Sequence, residues 1–263
     1  MAPNRAALWF GAILFLLIRF APAQALTVGP VETYHCPVCR HAFEPVLAGS
    51  GTQTGMRLDF RPLGPIASPW PIPDCPKCHN VWFPAAVTNR SDRELQVVTK
   101  TVRSATYARL SSAPSYHRYA ILSESLKQPA RELAMHWLAA SWQWESTTNR
   151  VQERACRDQC AAWLDRHLES KAQKTTTPDL EAVLLRADLF RRAGQFDRCA
   201  AWLNRWAPQP AFQSGLAPRI IVRQRLLIAA RLTTAEPLED PAIRRPGSPP
   251  KARPLRLAPA AKP

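Results

Sequence analysis

The 263-residue sequence lacks the common hydrolase, metalloprotease and dinucleotide-binding frames. It has no HExxH pair to hold a protease zinc. Gly49-Ser50-Gly51 does not fall in the G-x-S-x-G frame of a nucleophile elbow. Gly49, Gly51 and Gly55 miss the dinucleotide-binding spacing by one residue, and no helical pattern follows them. The six histidines form no triad pattern. With no nucleophile, base and orienting group in any recognisable arrangement, the chain reads as non-enzymatic.

Long apolar runs are also missing beyond the N-terminus. Ala6–Ile18 is a thirteen-residue apolar run preceded by Arg5 and followed by Ala23-Gln24-Ala25. Thirteen residues fall short of the roughly 20 that cross a bilayer. Basic start, short apolar stretch and A-x-A site are the layout of a secretory signal peptide over residues 1–25. The expected mature chain begins at Leu26 and is periplasmic or secreted.

Acidic residues are scarce, 20 against 35 lysines and arginines. The excess is uneven: residues 26–90 carry five basic and four acidic residues, and residues 91–235 carry 22 and 13. Because acids are interspersed, we read an arginine-rich solvated surface that admits weak contact with anionic lipid headgroups. An exported protein is a poor candidate for binding nucleic acid.

Against these absences stand two short cysteine turns, Cys36-Pro37-Val38-Cys39 and Cys75-Pro76-Lys77-Cys78. Four thiolates from two such turns close a tetrahedral zinc site with no open position, which makes the metal structural. The proline stiffens each turn, and backbone N–H groups beyond it can donate to the sulfurs. The 35 residues between the pairs exceed the usual 15–20, so part of the stretch is an insertion. Two alternatives stay open. Cys75-Pro76-Lys77-Cys78-His79 also satisfies the C-x-x-C-H signature of covalent c-type haem, with His79 as one axial ligand and Met56 or Met135 as the other. An oxidising compartment also permits disulfides or disulfide exchange at the C-x-x-C pairs. His35, His41 and His79 flank the turns and read as polar surface residues.

Residues 26–90 are rich in proline. Met56, Leu58 and Phe60 alternate with Arg57, Asp59 and Arg61, as a half-buried strand would. Val81–Phe83 reads as a second short strand. From Ser91 the periodicity turns helical. The capping box Ser91/Glu94 opens a helix towards Tyr107. Further helices are expected over Ser115–Leu126, Ala130–Glu145, Arg150–Ala172, from Pro178-Asp179 to Gly194, Gln195–Trp206 and Ala217–Leu232. From Glu236 the tail holds eight prolines and scattered bases, and is expected to be disordered.

Residues 160–166, Cys-Ala-Ala-Trp-Leu-Asp-Arg, recur at 199–205 as Cys-Ala-Ala-Trp-Leu-Asn-Arg, a spacing of 39. Repeats near this period mark stacked helical hairpins. The second copy resembles a tetratricopeptide motif at Val183, Ala187, Phe190, Gly194, Phe196, Cys199 and Leu203, with Arg186 departing at a usually apolar position. Cys156, Cys160 and Cys199 read as small buried packing residues. A bridge from Cys199 to Cys156 or Cys160 is the alternative. Trp137, Trp142, Trp144, Trp163, Trp202 and Trp206 fall at helical spacing and read as core.

The segment from Tyr34 to Phe83 resembles a bacterial family known only as a domain of unknown function. The matching pieces are Cys36–Cys39 with Phe43, Arg57-Leu58-Asp59, Pro62-Leu63-Gly64-Pro65, Cys75–Cys78 with Trp82-Phe83, and Ser115–Tyr119 in the helical part. In that family glycine follows each second cysteine. Here Arg40 and His79 stand there, so the C-x-x-C-H match reads as a substitution within a zinc knuckle. The resemblance implies architecture and no reaction: a zinc-ribbon-like module followed by a tetratricopeptide-like helical region.

The expected fold is therefore mostly α. A small zinc-ribbon-like β module over 26–90, with Cys36, Cys39, Cys75 and Cys78 as zinc ligands, precedes a helical-hairpin array over 91–235 that binds a protein partner. A periplasmic redox or haem protein is the alternative.

Overall fold

The computed structural model describes residues 27–83, 90–174 and 178–239. The signal peptide expected over residues 1–25 and most of the tail expected to be disordered lie outside these residues. Among the described residues the chain is mostly helical, with three small strand pairs. No described helix is long and apolar enough to cross a membrane.

Each strand pair is an antiparallel ribbon of two or three residues a side. β1 (Thr27–Val28) pairs with β4 (Ala48–Ser50), β2 (Tyr34–His35) with β3 (Ala42–Phe43), and β5 (Gly55–Met56) with β6 (Pro62–Leu63). The strand expected from Met56 to Phe60 stops early. Arg57 N–H donates to the Arg61 carbonyl at 2.8 Å, and Phe60 takes φ +63° to close the turn. Nor are Arg57 and Asp59 on a solvent face: both are buried. Asp59 accepts from Arg57, from Arg192 at 3.0 Å and from Trp142 Nε1 at 3.0 Å. Glu145 accepts from Arg57 at 2.6 Å and Arg61 at 3.0 Å. Buried charges persist only when paired and hydrogen-bonded, and this network meets that condition. Val81–Phe83 forms a single bridge, Asp74 to Val81, and no strand.

The helices are α1 (Asp92–Val102), α2 (Ala105–Ala108), α3 (Ser115–Ser125), α4 (Ala130–Ser146), α5 (Arg150–Lys174), α6 (Leu180–Arg192), α7 (Phe196–Trp206) and α8 (Ala217–Ala229). The Ser91/Glu94 capping box is formed. The helix it opens does not run through to Tyr107. Ser104 interrupts it, its hydroxyl donating to the Thr101 carbonyl and accepting from Tyr107 N–H, which caps α2. Asp179 caps α6. Gly194, at φ +73°, ends α6 as expected: its N–H reaches Arg191 O at 2.9 Å and Gln195 N–H reaches Phe190 O at 2.9 Å, a Schellman closure. The α6–α7 hairpin buries Val183, Ala187, Phe190, Phe196, Cys199 and Leu203. Arg186, the off-pattern residue, grips Asp165 with two bonds of 2.7 and 2.9 Å and lies 3.7 Å over the Phe190 ring. The repeated heptapeptides sit on α5 and α7 with matching burial, Cys160 with Cys199 and Leu164 with Leu203.

Among the described residues two large apolar cores and a small one of Cys36, Cys75 and Trp82 are present, and the β region feeds both large ones. Ile72 and Val81 join the core of α1–α5, while Leu58 joins the core of α6–α8. Residues 236–238 return to the β5–β6 hairpin: Leu58 N–H donates to Glu236 O at 3.0 Å and Leu238 N–H to Met56 O at 2.8 Å. Leu238 is buried in the second core, so the first residues of the tail segment belong to the fold.

Candidate metal centre

The two cysteine turns are copies of one backbone device. Cys36 N–H donates to His41 O at 2.9 Å, and Arg40 N–H to Cys36 O at 2.9 Å. Thirty-nine residues on, Cys75 N–H donates to Asn80 O at 2.9 Å, and His79 N–H to Cys75 O at 2.8 Å. His35 pairs with Ala42 across the first turn as Asp74 pairs with Val81 across the second. The correspondence extends to Phe43 and Trp82, which follow the turns at the same offset. Their rings meet edge to face at 5.8 Å. Arg40 and His79 occupy the positions where glycine would turn most freely, and both adopt left-handed backbone, φ +60° and +58°.

Facing each other, the turns bring Cys36, Cys39, Cys75 and Cys78 together, with all four Sγ atoms within 4.8 Å of one another. Cys36 Sγ lies 3.5 Å from Cys78 Sγ, and Cys39 Sγ 3.5 Å from Cys75 Sγ. These separations are far longer than a disulfide bond of about 2.05 Å. They are close to the edge of a tetrahedron with metal–sulfur bonds of about 2.3 Å, roughly 3.8 Å. All four cysteines are free thiols. Among the described residues no histidine joins the group. Four convergent sulfurs can hold a metal ion, and the donor set suits zinc.

The environment divides the thiols. Burial raises the Cys36 pKa, against backbone N–H groups of Cys39 and Val38 that lower it. At Cys39 burial is outweighed by the His41 N–H and the three neighbouring sulfurs, which draw the thiol down to about 7. Burial pushes Cys78 up, against the Asn80 N–H. Backbone N–H donation to sulfur, expected from the Cys-Pro-x-Cys form, is therefore present in both turns. Buried Asn80 adds a side-chain contact, Nδ2 to Cys36 Sγ at 3.9 Å.

The residues that fix the second turn to the helices were not singled out in the sequence as site residues. Arg118 on α3 is buried, and donates to Asp74, to the His79 carbonyl at 2.7 Å and to the Ala113 carbonyl at 3.0 Å. Tyr107 hydroxyl donates to the same His79 carbonyl at 2.9 Å, and Tyr116 hydroxyl to the Trp70 carbonyl at 2.9 Å. The signal was an arginine set between two tyrosines of one helix face, in the stretch Ser115–Tyr119.

The remaining cysteines lie elsewhere. Cys156 and Cys160 are buried in the first core and Cys199 in the second, all three free. Burial pushes Cys156 and Cys199 up to about 12, which leaves them protonated and inert. Trp137 and Trp142 are buried, and Trp144, Trp163, Trp202 and Trp206 pack half-buried against the cores. Met56 packs on the second core and Met135 on the first.

A family model described as uncharacterized protein conserved in bacteria (DUF2225) matches residues 31–227. That span runs from just before the first cysteine turn to the end of α8 and takes in the whole four-sulfur cluster, so the chain belongs to this family. No curated protein and no solved structure matches the chain.

Proposed function

From membership of a bacterial family that brings no assigned activity, we propose that this is an exported, non-enzymatic scaffold. One structural Zn2+ sits on Cys36, Cys39, Cys75 and Cys78, and a tetratricopeptide-like helical array carries the surface for a protein partner. The observation that carries the metal assignment is the convergence of four Sγ atoms within 4.8 Å from two matching turns. Four thiolates fill a tetrahedral shell, which leaves no position for substrate or activated water and makes the ion a staple.

The geometry weighs against the alternatives. The short sulfur–sulfur approaches run between the turns, whereas a C-x-x-C redox couple would pair within one. Cys75, which a covalent haem would need, is fully buried against Cys39. The array reading is supported by the α6–α7 hairpin, by the glycine closure between its helices and by the matched burial of the two heptapeptides. Export rests on the N-terminal sequence.

The test is elemental analysis of purified protein with a thiol titration. We expect one zinc per chain and four additional reactive thiols after chelation. A Soret band, or cysteines that resist alkylation until reduced, would replace zinc with haem or disulfides. Mass spectrometry of the exported chain should place its first residue at Leu26.

A further inference from the structure

The charge network around Asp59 extends into α5 and ends there with a surplus. Glu153, buried on α5, accepts from Arg157, from Arg192 at 2.8 Å and from Arg150 at 2.9 Å. Arg192 also reaches Asp59, so the two clusters are one network. Arg150 is exposed and met by solvent. The other four arginines, Arg57, Arg61, Arg157 and Arg192, face three acids, Asp59, Glu145 and Glu153. A buried charge without a counter-charge is costly, so the extra cation favours an anion beside it. Arg157 shows the imbalance: burial, and then the Arg192 charge, hold its pKa below the ordinary arginine value.

Arg157 is also the member of the network that lines a pocket. A cavity of about 230 Å³ lies between α5 and the α6–α7 turn, and Arg154, Arg157, Arg186 and Arg198 all line it. Its acids are Asp158 and Asp165. Arg186 occupies both oxygens of Asp165. Asp158 stands 4.0 Å from Arg154, beyond hydrogen-bond reach. Arg198 donates to the neutral amide of Gln195 at 2.9 Å. Arg186 and Arg198 stand over the same Phe190 ring, 3.7 and 4.7 Å from its centroid, so two cations share one ring at the pocket wall. Guanidinium forks bind oxyanions through paired N–H···O bonds. A phosphate group has oxygens enough to meet three arginines at once, where a carboxylate has two. The volume falls below the roughly 300–1,000 Å³ of pockets for drug-sized ligands, which suits a small ion.

We propose that Arg154, Arg157 and Arg198 form a binding site for a small soluble phosphate-class dianion, inorganic phosphate or a phosphomonoester, which supplies the negative charge that the Asp59–Glu153 network lacks. Arg186, held by Asp165, forms wall and not ligand. The site lies on the helical array, goes beyond the zinc-staple reading and does not depend on it.

The experiment is calorimetric titration of the full chain with inorganic phosphate, glycerol phosphate and acetate at constant ionic strength. The expected result is one saturable site for each phosphate, with acetate bound at least tenfold more weakly. Arg154→Gln and Arg198→Gln should each weaken phosphate about tenfold, the loss of one charge-assisted hydrogen bond. Both side chains are exposed, so the variants keep the fold, and their urea midpoints without phosphate should match that of the unaltered chain. Saturating phosphate should raise the midpoint of the unaltered chain and leave that of the double variant where it was. Phosphate affinity within threefold of the original in the double variant, or acetate bound as tightly as phosphate, would overturn the proposal. Co-sedimentation with phosphatidic acid vesicles without binding of either soluble ion would also overturn it, by assigning the pocket to a lipid headgroup.

Discussion

The two cysteine turns share a backbone, yet they are held by different forces. The second turn is built into the protein. Asn80, Val81 and Trp82 are buried, Val81 belongs to the first core, and Arg118 and Tyr107 grip the His79 carbonyl. The first turn lies at the periphery, with Arg40 and Ala42 exposed. Its attachments are Val38, Phe43 and Tyr34 packed near Trp82, the Asn80–Cys36 contact and the sulfurs themselves. Identical local geometry therefore does not imply identical stability. One turn is an anchor placed by the helices, and the other is a clasp that closes on it.

The largest effect that can break this comparison is removal of the proposed zinc. A structural zinc contributes on the order of 10 kcal/mol to the order of the peptide that wraps it. If only the clasp depends on the ion, chelation should release residues 34–50 and spare the anchor and helices. Hydrogen exchange should show protection falling at least a hundredfold at the Cys36 and Arg40 amides, while the Cys75 and His79 amides and α3–α5 change less than tenfold. Equal loss in both turns would mean that the ion, and not the helices, holds the anchor.

Next in size is Arg118. Replacing it by methionine keeps most of the apolar stem and removes every donor to Asp74, His79 O and Ala113 O. Asp74 is partly exposed, so losing Arg118 strands no fully buried charge, but the lost bonds to it and to two carbonyls cost about 2 kcal/mol. The variant should lose about that much in urea unfolding, and its zinc should leave faster because the anchor now moves. A loss below 1 kcal/mol would show that packing of Val81 and Trp82 suffices to place the second turn.

This second effect also marks what the sequence could and could not convey. The four-cysteine cluster was legible because C-x-x-C spacing is a local signal, and so were the helices, whose periodicity and caps are local too. The strand from Met56 to Phe60 misled because alternation predicts burial of one face only, whereas Arg57 and Asp59 enter the interior through partners at Glu145 and Arg192. Arg118 escaped for the same reason: its role depends on Asp74 and His79, some forty positions away. Local chemistry announces itself in one sequence, and a buried ion pair needs both halves before either can be read.

The smallest effect sharpens the comparison most. Arg40 and His79 both sit near φ +60°, where a side chain costs about 1 kcal/mol relative to glycine, part of which glycine returns by loosening the unfolded chain. Arg40→Gly and His79→Gly relieve the same strain, yet the relief should surface in different measurements. If the clasp orders only when the ion binds, Arg40→Gly should appear as zinc held up to about fivefold more tightly against a competing chelator, the equivalent of about 1 kcal/mol. The anchor is already ordered by Arg118 and Tyr107, so His79→Gly should raise the urea midpoint of the metal-free protein and leave zinc affinity within twofold. If both variants tighten zinc equally, the two turns form together, and the distinction between anchor and clasp fails.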